Sequence, residues 1–147
     1  MIGLMISRSA LPGVALAACV MFASPALAET IAFKADLKAS EEVPANDSKG
    51  TGTVTATYDT ASKKLTWKGN YSGLTGPATM AHFHGPAEPG KNAGVAVPIT
   101  PSASPFENSA NLTDAQAADL MAGRWYVNVH TSAHPGGEIR GQLVKGM

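Results

Sequence analysis

The sequence predicts an all-β domain, an antiparallel β-sandwich or barrel with one short helix. Three observations predict it. Apolar and polar residues alternate over several short runs, polar or Pro- and Gly-containing turns separate those runs, and only one stretch carries helix start and stop signals.

Taken in order, Phe33, Ala35, Leu37 and Ala39 alternate with Lys34, Asp36, Lys38 and Ser40, the period-two pattern of a half-buried strand. Residues 41–47, with Pro44 and Asn46-Asp47, turn the chain. Val54, Ala56 and Tyr58 alternate with Thr53, Thr55 and Thr57 in a second strand, and Asp59-Thr60-Ala61-Ser62 leads into a third through Leu65, Trp67 and Gly69. Residues 80–84, 93–99, 125–131 and 138–144 read as further strands. The rest of the segment 85–111 reads as loop, because Pro86, Pro89, Pro98, Pro101 and Pro105 interrupt it. Thr113-Asp114-Ala115-Gln116 is a capping box and Gly123 a helix stop, which predicts the helix between them.

Residues 1–28 read as an export signal. Arg8 gives the positive start, 11–23 the apolar stretch and Ala26-Leu27-Ala28 the small-residue cleavage site. The expected destination is the periplasm or the exterior. Leu16-Ala17-Ala18-Cys19 also fits a lipobox, which would instead leave a lipoprotein anchored at Cys19. No transmembrane segment is expected, since the apolar stretch falls short of the ~20 residues that span a bilayer. Cleavage after Ala28 leaves 119 residues, a single domain without cysteine, and so without disulfide or thiolate ligand. It removes one of the 11 basic residues and none of the 11 acidic ones, for a net charge of −1. Scattered Lys and Arg with no basic stripe argue against a nucleic-acid partner. A homo-oligomer or a protein partner stays open.

The chemistry concentrates in four histidines, which fall in two pairs: His82 and His84, then His130 and His134. In a strand, i and i+2 share a face and lie about 6–7 Å apart, so His82 and His84 form a chelating pair with Phe83 turned to the core. The same parity buries Trp125, Val127 and Val129 and sets Tyr126, Asn128 and His130 on the other face. His134 follows on a turn before Pro135-Gly136-Gly137. Convergence of the pairs gives a metal site at His82, His84, His130 and His134. Imidazoles without thiolate suit copper, alternatively zinc, with Met80 on the His82 face as a soft neighbour. Gly85-Pro86-Ala87-Glu88-Pro89-Gly90-Lys91-Asn92 is not a phosphate-binding loop, because Asn92 replaces the Ser/Thr, prolines remove amide donors and no helix follows.

Phe33-x-Ala35-x-Leu37, Glu42-Val43-Pro44, Ala81-His82-Phe83-His84-Gly85-Pro86-Ala87 and the long stretch Ala122-Gly123-Arg124-Trp125-Tyr126-Val127-Asn128-Val129-His130-Thr131, leading to Pro135-Gly136-Gly137-Glu138-Ile139-Arg140-Gly141-Gln142-Leu143, resemble the CHRD domain named for chordin. A more distant resemblance is to copper/zinc superoxide dismutases, which share a His-x-His strand, a Gly-Arg strand ending in Val-His and a late arginine. That resemblance implies a Greek-key sandwich and a catalytic, anion-guiding role for Arg140 if the protein is dismutase-like. The chain departs from the dismutases in having no histidine between His84 and His130 and no disulfide, which excludes the zinc-containing dismutase site and leaves a copper-only one. The functional expectation is thus a histidine-lined metal site in an exported CHRD domain. Its rivals are a copper-only dismutase-like enzyme and a non-catalytic extracellular interaction module.

Overall fold

The computed structural model describes residues 27–146. The expected signal segment and Cys19 lie outside these residues, Leu27 and Ala28 excepted. Strands β1 (Thr30–Lys38), β2 (Thr51–Asp59) and β3 (Lys64–Ser72) form an antiparallel meander, with Thr30 opposite Asp59 and Asp59 opposite Lys64. The first strand shows strict inward alternation of Phe33, Ala35 and Leu37. Beyond β3 lies β6 (Phe106–Asn111), while β4 (Ala78–His84) pairs with both β5 (Val95–Pro98) and β7 (Tyr126–Thr131). β7 pairs with β8 (Ile139–Gln142), which meets β1 at Lys38 opposite Arg140, and β9 (Val144–Lys145) continues along β1.

The spatial order is β5-β4-β7-β8-β1-β2-β3-β6, a single antiparallel sheet rolled into a nearly closed barrel, as the alternation predicts. Side-chain amides reach the β5 end of the sheet from two elements: Asn108 Nδ2 on the other end strand, β6, donates to Thr100 O at 2.6 Å, just past β5, and Gln116 Nε2, on the helix that follows β6, donates to Ala96 O at 3.0 Å. The interior is filled by Phe33, Leu37, Val54, Leu65, Trp67, Phe83, Phe106, Val127, Val129 and Ile139, all buried. Burial of each large apolar side chain contributes about 1.5–3 kcal/mol. The helix α1 (Asp114–Met121) has the expected capping box, with Gln116 N donating to Thr113 Oγ1 at 3.2 Å and Thr113 N to Gln116 Oε1 at 2.9 Å. Gly123 adopts φ +73°, the left-handed position that ends a helix.

Two features depart from the sequence reading. Residues 106–111 form a strand inside the expected loop region. Only Phe106 in it is buried, so an edge strand with one core residue leaves no alternation to detect. β7 was expected to be half-buried, but all six of its residues are buried. Its inner face meets the core, and its outer face lies beneath three connections: the turn after β1, the loop between β4 and β5, and the turn between β7 and β8. The candidate site residues His84, Asn128 and His130 occupy this covered outer face.

Candidate metal centre

Direct pairing of β4 with β7 brings the histidines together. His84 lies opposite Tyr126, His82 opposite Asn128 and Met80 opposite His130, so His82 and His84 share one face with His130 on the neighbouring strand. Ligating nitrogens of His82, His84 and His130 all fall within 4.8 Å of one another. His82 Nδ1 is 3.1 Å from His130 Nε2, close to the ~3.3 Å that separates two nitrogens on a tetrahedral ion with ~2.0–2.1 Å bonds. The rings of His82 and His84 meet edge to face with centroids 5.4 Å apart, and those of His82 and His130 at 5.0 Å.

Two backbone carbonyls orient the set. His130 Nδ1 lies 2.9 Å from Pro135 O, and His84 Nδ1 lies 3.0 Å from Ala93 O. An Nδ1–H donated to a carbonyl leaves Nε2 as the lone pair, the arrangement that fixes the tautomer of a metal-ligating histidine. The turn that supplies Pro135 O is closed by His134 N donating to Thr131 O at 3.1 Å and Glu138 N to Val129 O at 2.8 Å. His134 itself is half-buried and lies outside the group of three; it lines a groove of about 250 Å³ with Glu42, Val43 and Pro44. A larger groove of about 670 Å³ on the outer face of β2, β3 and β6 is lined by Thr55, Thr57, Lys64, Thr66 and Lys68 and includes no histidine.

Asn128 and Glu42, which the sequence reading did not select, complete the surroundings. Asn128, 3% exposed, meets His84 Nε2 through Oδ1 at 3.0 Å. A neutral His84 has one N–H for two acceptors, Ala93 O and Asn128 Oδ1. The conflict is relieved when the amide turns to present Nδ2, or when His84 carries a second proton. Glu42, 6% exposed, sits beside the Asn128 amide, and its Oε1 has no hydrogen-bond partner. Gly137 at φ +128° makes this approach feasible, because a Cβ there would collide with Glu42 Oε1 and Asn128 Nδ2. The signal for Asn128 was its shared parity with His130; Glu42 carried none beyond the Glu-Val-Pro motif.

Burial dominates the electrostatics. It pushes the Glu42 carboxyl up to about 7, against the lowering pull of Arg140 and Asn128. It holds His82 and His84 below the usual histidine range, with repulsion from the neighbouring imidazoles adding to the effect at His82 and hydrogen bonds opposing it at His84. The lowering keeps His82 and His84 neutral near neutral pH, which leaves imidazole lone pairs available.

Arg140 is 2% exposed. Its guanidinium donates to Asn92 Oδ1 at 2.8 Å and Lys91 O at 2.6 Å and lies 3.4 Å from the Tyr126 ring centroid. Tyr126 also stacks on His84 with centroids 4.8 Å apart and planes 5° from parallel. Asn92 Nδ2 in turn donates to Val43 O at 2.9 Å. Arg140 thus ties the covering loops to β8, and this placement gives no support to an anion-guiding role.

Compared with known families, residues 33–143 match the CHRD domain. The chain is a member of the CHRD family. No curated protein and no solved structure matches it. The match takes in β1 from Phe33 through β8 to Leu143, including all three clustered histidines, Asn128 and Glu42.

Proposed function

We propose that this CHRD domain is an exported metal-binding protein that holds one copper ion, alternatively zinc, through His82, His84 and His130. The observation that carries the reading is the convergence of three imidazoles, two of them with Nδ1 directed at a backbone carbonyl. Such preorganisation is more than scattered structural histidines need. Copper is favoured by an all-nitrogen donor set without thiolate, with Met80 opposite His130 at the exposed edge. Export is supported by the 1–28 signal pattern and by a first strand that begins only at Thr30, so cleavage after Ala28 leaves the barrel intact. No helix among the described residues is long and apolar enough to cross a membrane.

The test is titration of the mature domain with copper(II) and zinc(II) at pH 7.5, alongside a His82→Ala/His84→Ala double variant. One tight equivalent in the parent and at least a hundredfold weaker binding in the variant is the expected result. Equal binding by both proteins would overturn the reading. Intact mass of the exported form checks the processing: a chain starting at Glu29 is expected, and a lipidated Cys19 would contradict it.

A further inference from the structure

His84 meets an acceptor at each ring nitrogen. Ala93 O lies 3.0 Å from Nδ1 and takes its proton, which leaves Nε2 with a lone pair, and the atom 3.0 Å from that lone pair is Asn128 Oδ1, a second acceptor. Two lone pairs facing each other make no hydrogen bond. Turning the amide over would relieve the pair only by bringing Oδ1 toward two other oxygens, since Nδ2 lies 3.5 Å from Gly136 O and beside the Glu42 carboxyl. Asn128 is 3% exposed, and a buried acceptor calls for a partner.

The geometry points to Asn128 Oδ1 as the fourth ligand of the metal centre, beside His82, His84 and His130. This inference rests on the metal-binding reading above. A cation satisfies both converging lone pairs with the two groups left as they stand. Neighbouring donors on one ion with ~2.0–2.1 Å bonds are about 2.9–3.4 Å apart. His84 Nε2 to Asn128 Oδ1 is 3.0 Å and His82 Nδ1 to His130 Nε2 is 3.1 Å, so each pair is spaced as neighbours in a coordination shell. The register supports a shared shell: Asn128 lies opposite His82 and between Tyr126 and His130 on the outer face of β7. Stacking on Tyr126 fixes the His84 ring, while Gly136 O and Glu42 on the Nδ2 side hold the amide with its oxygen toward the ion. Three imidazoles and a carboxamide oxygen fill a tetrahedral shell and leave no position for a substrate, which suits a site that holds zinc(II) or copper(II) rather than one that turns a substrate over.

Asn128→Leu keeps the buried volume and removes the oxygen donor; Asn128→Asp restores one. Zinc(II) affinities of the parent and both variants are compared by competition with a chromophoric chelator at neutral pH. Binding is expected to weaken roughly tenfold or more in Asn128→Leu and to return to within about threefold of the parent, or beyond it, in Asn128→Asp. Binding in Asn128→Leu as tight as in the parent, or in Asn128→Asp as weak as in Asn128→Leu, would overturn the inference. Should the variants fail to fold, the parent protein decides the matter. Its Asn128 side-chain carbonyl carbon, labelled with carbon-13, is expected to shift downfield on adding zinc(II), with those of Asn70 on β3 and Asn108 on β6 unmoved; an Asn128 carbon that stays in place overturns the fourth ligand. A parent that binds neither zinc(II) nor copper(II) would defeat the metal-binding reading and this inference with it. Tight binding that is lost in the His82→Ala/His84→Ala variant and unchanged in Asn128→Leu would leave that reading standing and remove only the fourth ligand.

Discussion

Two buried carboxylates lie on either side of the turn that follows β7, and they are treated in opposite ways. Glu138, fully buried, accepts four hydrogen bonds: from Ser48 Oγ at 2.6 Å, Thr75 N at 2.8 Å, Thr75 Oγ1 at 2.8 Å and Thr131 Oγ1 at 2.6 Å. Burial alone would raise its carboxyl, yet these donors hold it down to about 2. Glu42, beside the histidines, has an unpartnered Oε1 and is pushed up to about 7. The first carboxylate stitches three loops to the barrel. The second is left under-satisfied where a protein built only for stability would have supplied a donor or an apolar residue. The contrast sets the carboxylate beside the histidine face apart from the one that latches the loops.

The comparison can be broken in several ways, and the largest effect is expected at Glu138. Glu138→Ala strands four donors under the 46–50, 73–76 and 131–138 connections and should destabilise the metal-free domain by about 3–5 kcal/mol in chemical denaturation. A loss below about 1 kcal/mol would mean that water replaces the carboxylate and that the latch is dispensable.

His130→Ala probes the other cluster. It should weaken zinc(II) or copper(II) binding by a hundredfold or more, about 2.7 kcal/mol, while costing the metal-free fold only about 1–2 kcal/mol for the lost Pro135 bond and packing. Val129→Ala, on the core face, should reverse the ranking, with a stability loss of about 1–3 kcal/mol and little change in metal affinity.

Glu42→Gln should act in the direction opposite to Glu138→Ala. A carboxyl raised from its usual value to about 7 binds more protons folded than unfolded, so its ionisation withdraws stability as pH rises from about 4.5 through 7. The variant should therefore exceed the parent by on the order of 1–3 kcal/mol at pH 8 and match it below pH 4.5. For Glu138 the sign is reversed, because its stabilisation is present above about 4.5 and is lost as pH falls through about 2. The lowered His82 and His84 values add a smaller effect: the unfolded chain binds more protons below the usual histidine range, so the metal-free fold weakens there.

Much of this was legible in the sequence. Alternation located β1, β2 and β3, the capping box located α1, and i, i+2 parity put His82 and His84 on one face and Asn128 with His130 on another. Parity could not say that the two faces are the same side of one sheet, since the β4–β7 pairing joins residues more than 40 positions apart. Nor could it show that loops cover that side: β7 looks half-polar because Asn128, His130 and Thr131 are polar, whereas they are buried against hydrogen-bond partners supplied by distant turns. Glu42 was invisible for the same reason, as a carboxylate in a turn reads as solvated until the 131–138 segment folds over it. Arg140, conspicuous as a late arginine, is turned inward to the 91–92 backbone and Tyr126.

The central claim is that His82, His84 and His130 form one metal centre. X-ray absorption of the copper(II)-loaded mature domain tests it most directly, because outer-shell imidazole scattering counts the rings on the ion. Three imidazoles per copper are expected, falling to two in His130→Ala. A shell of oxygen ligands with one imidazole or none, unchanged by His130→Ala, would contradict the account.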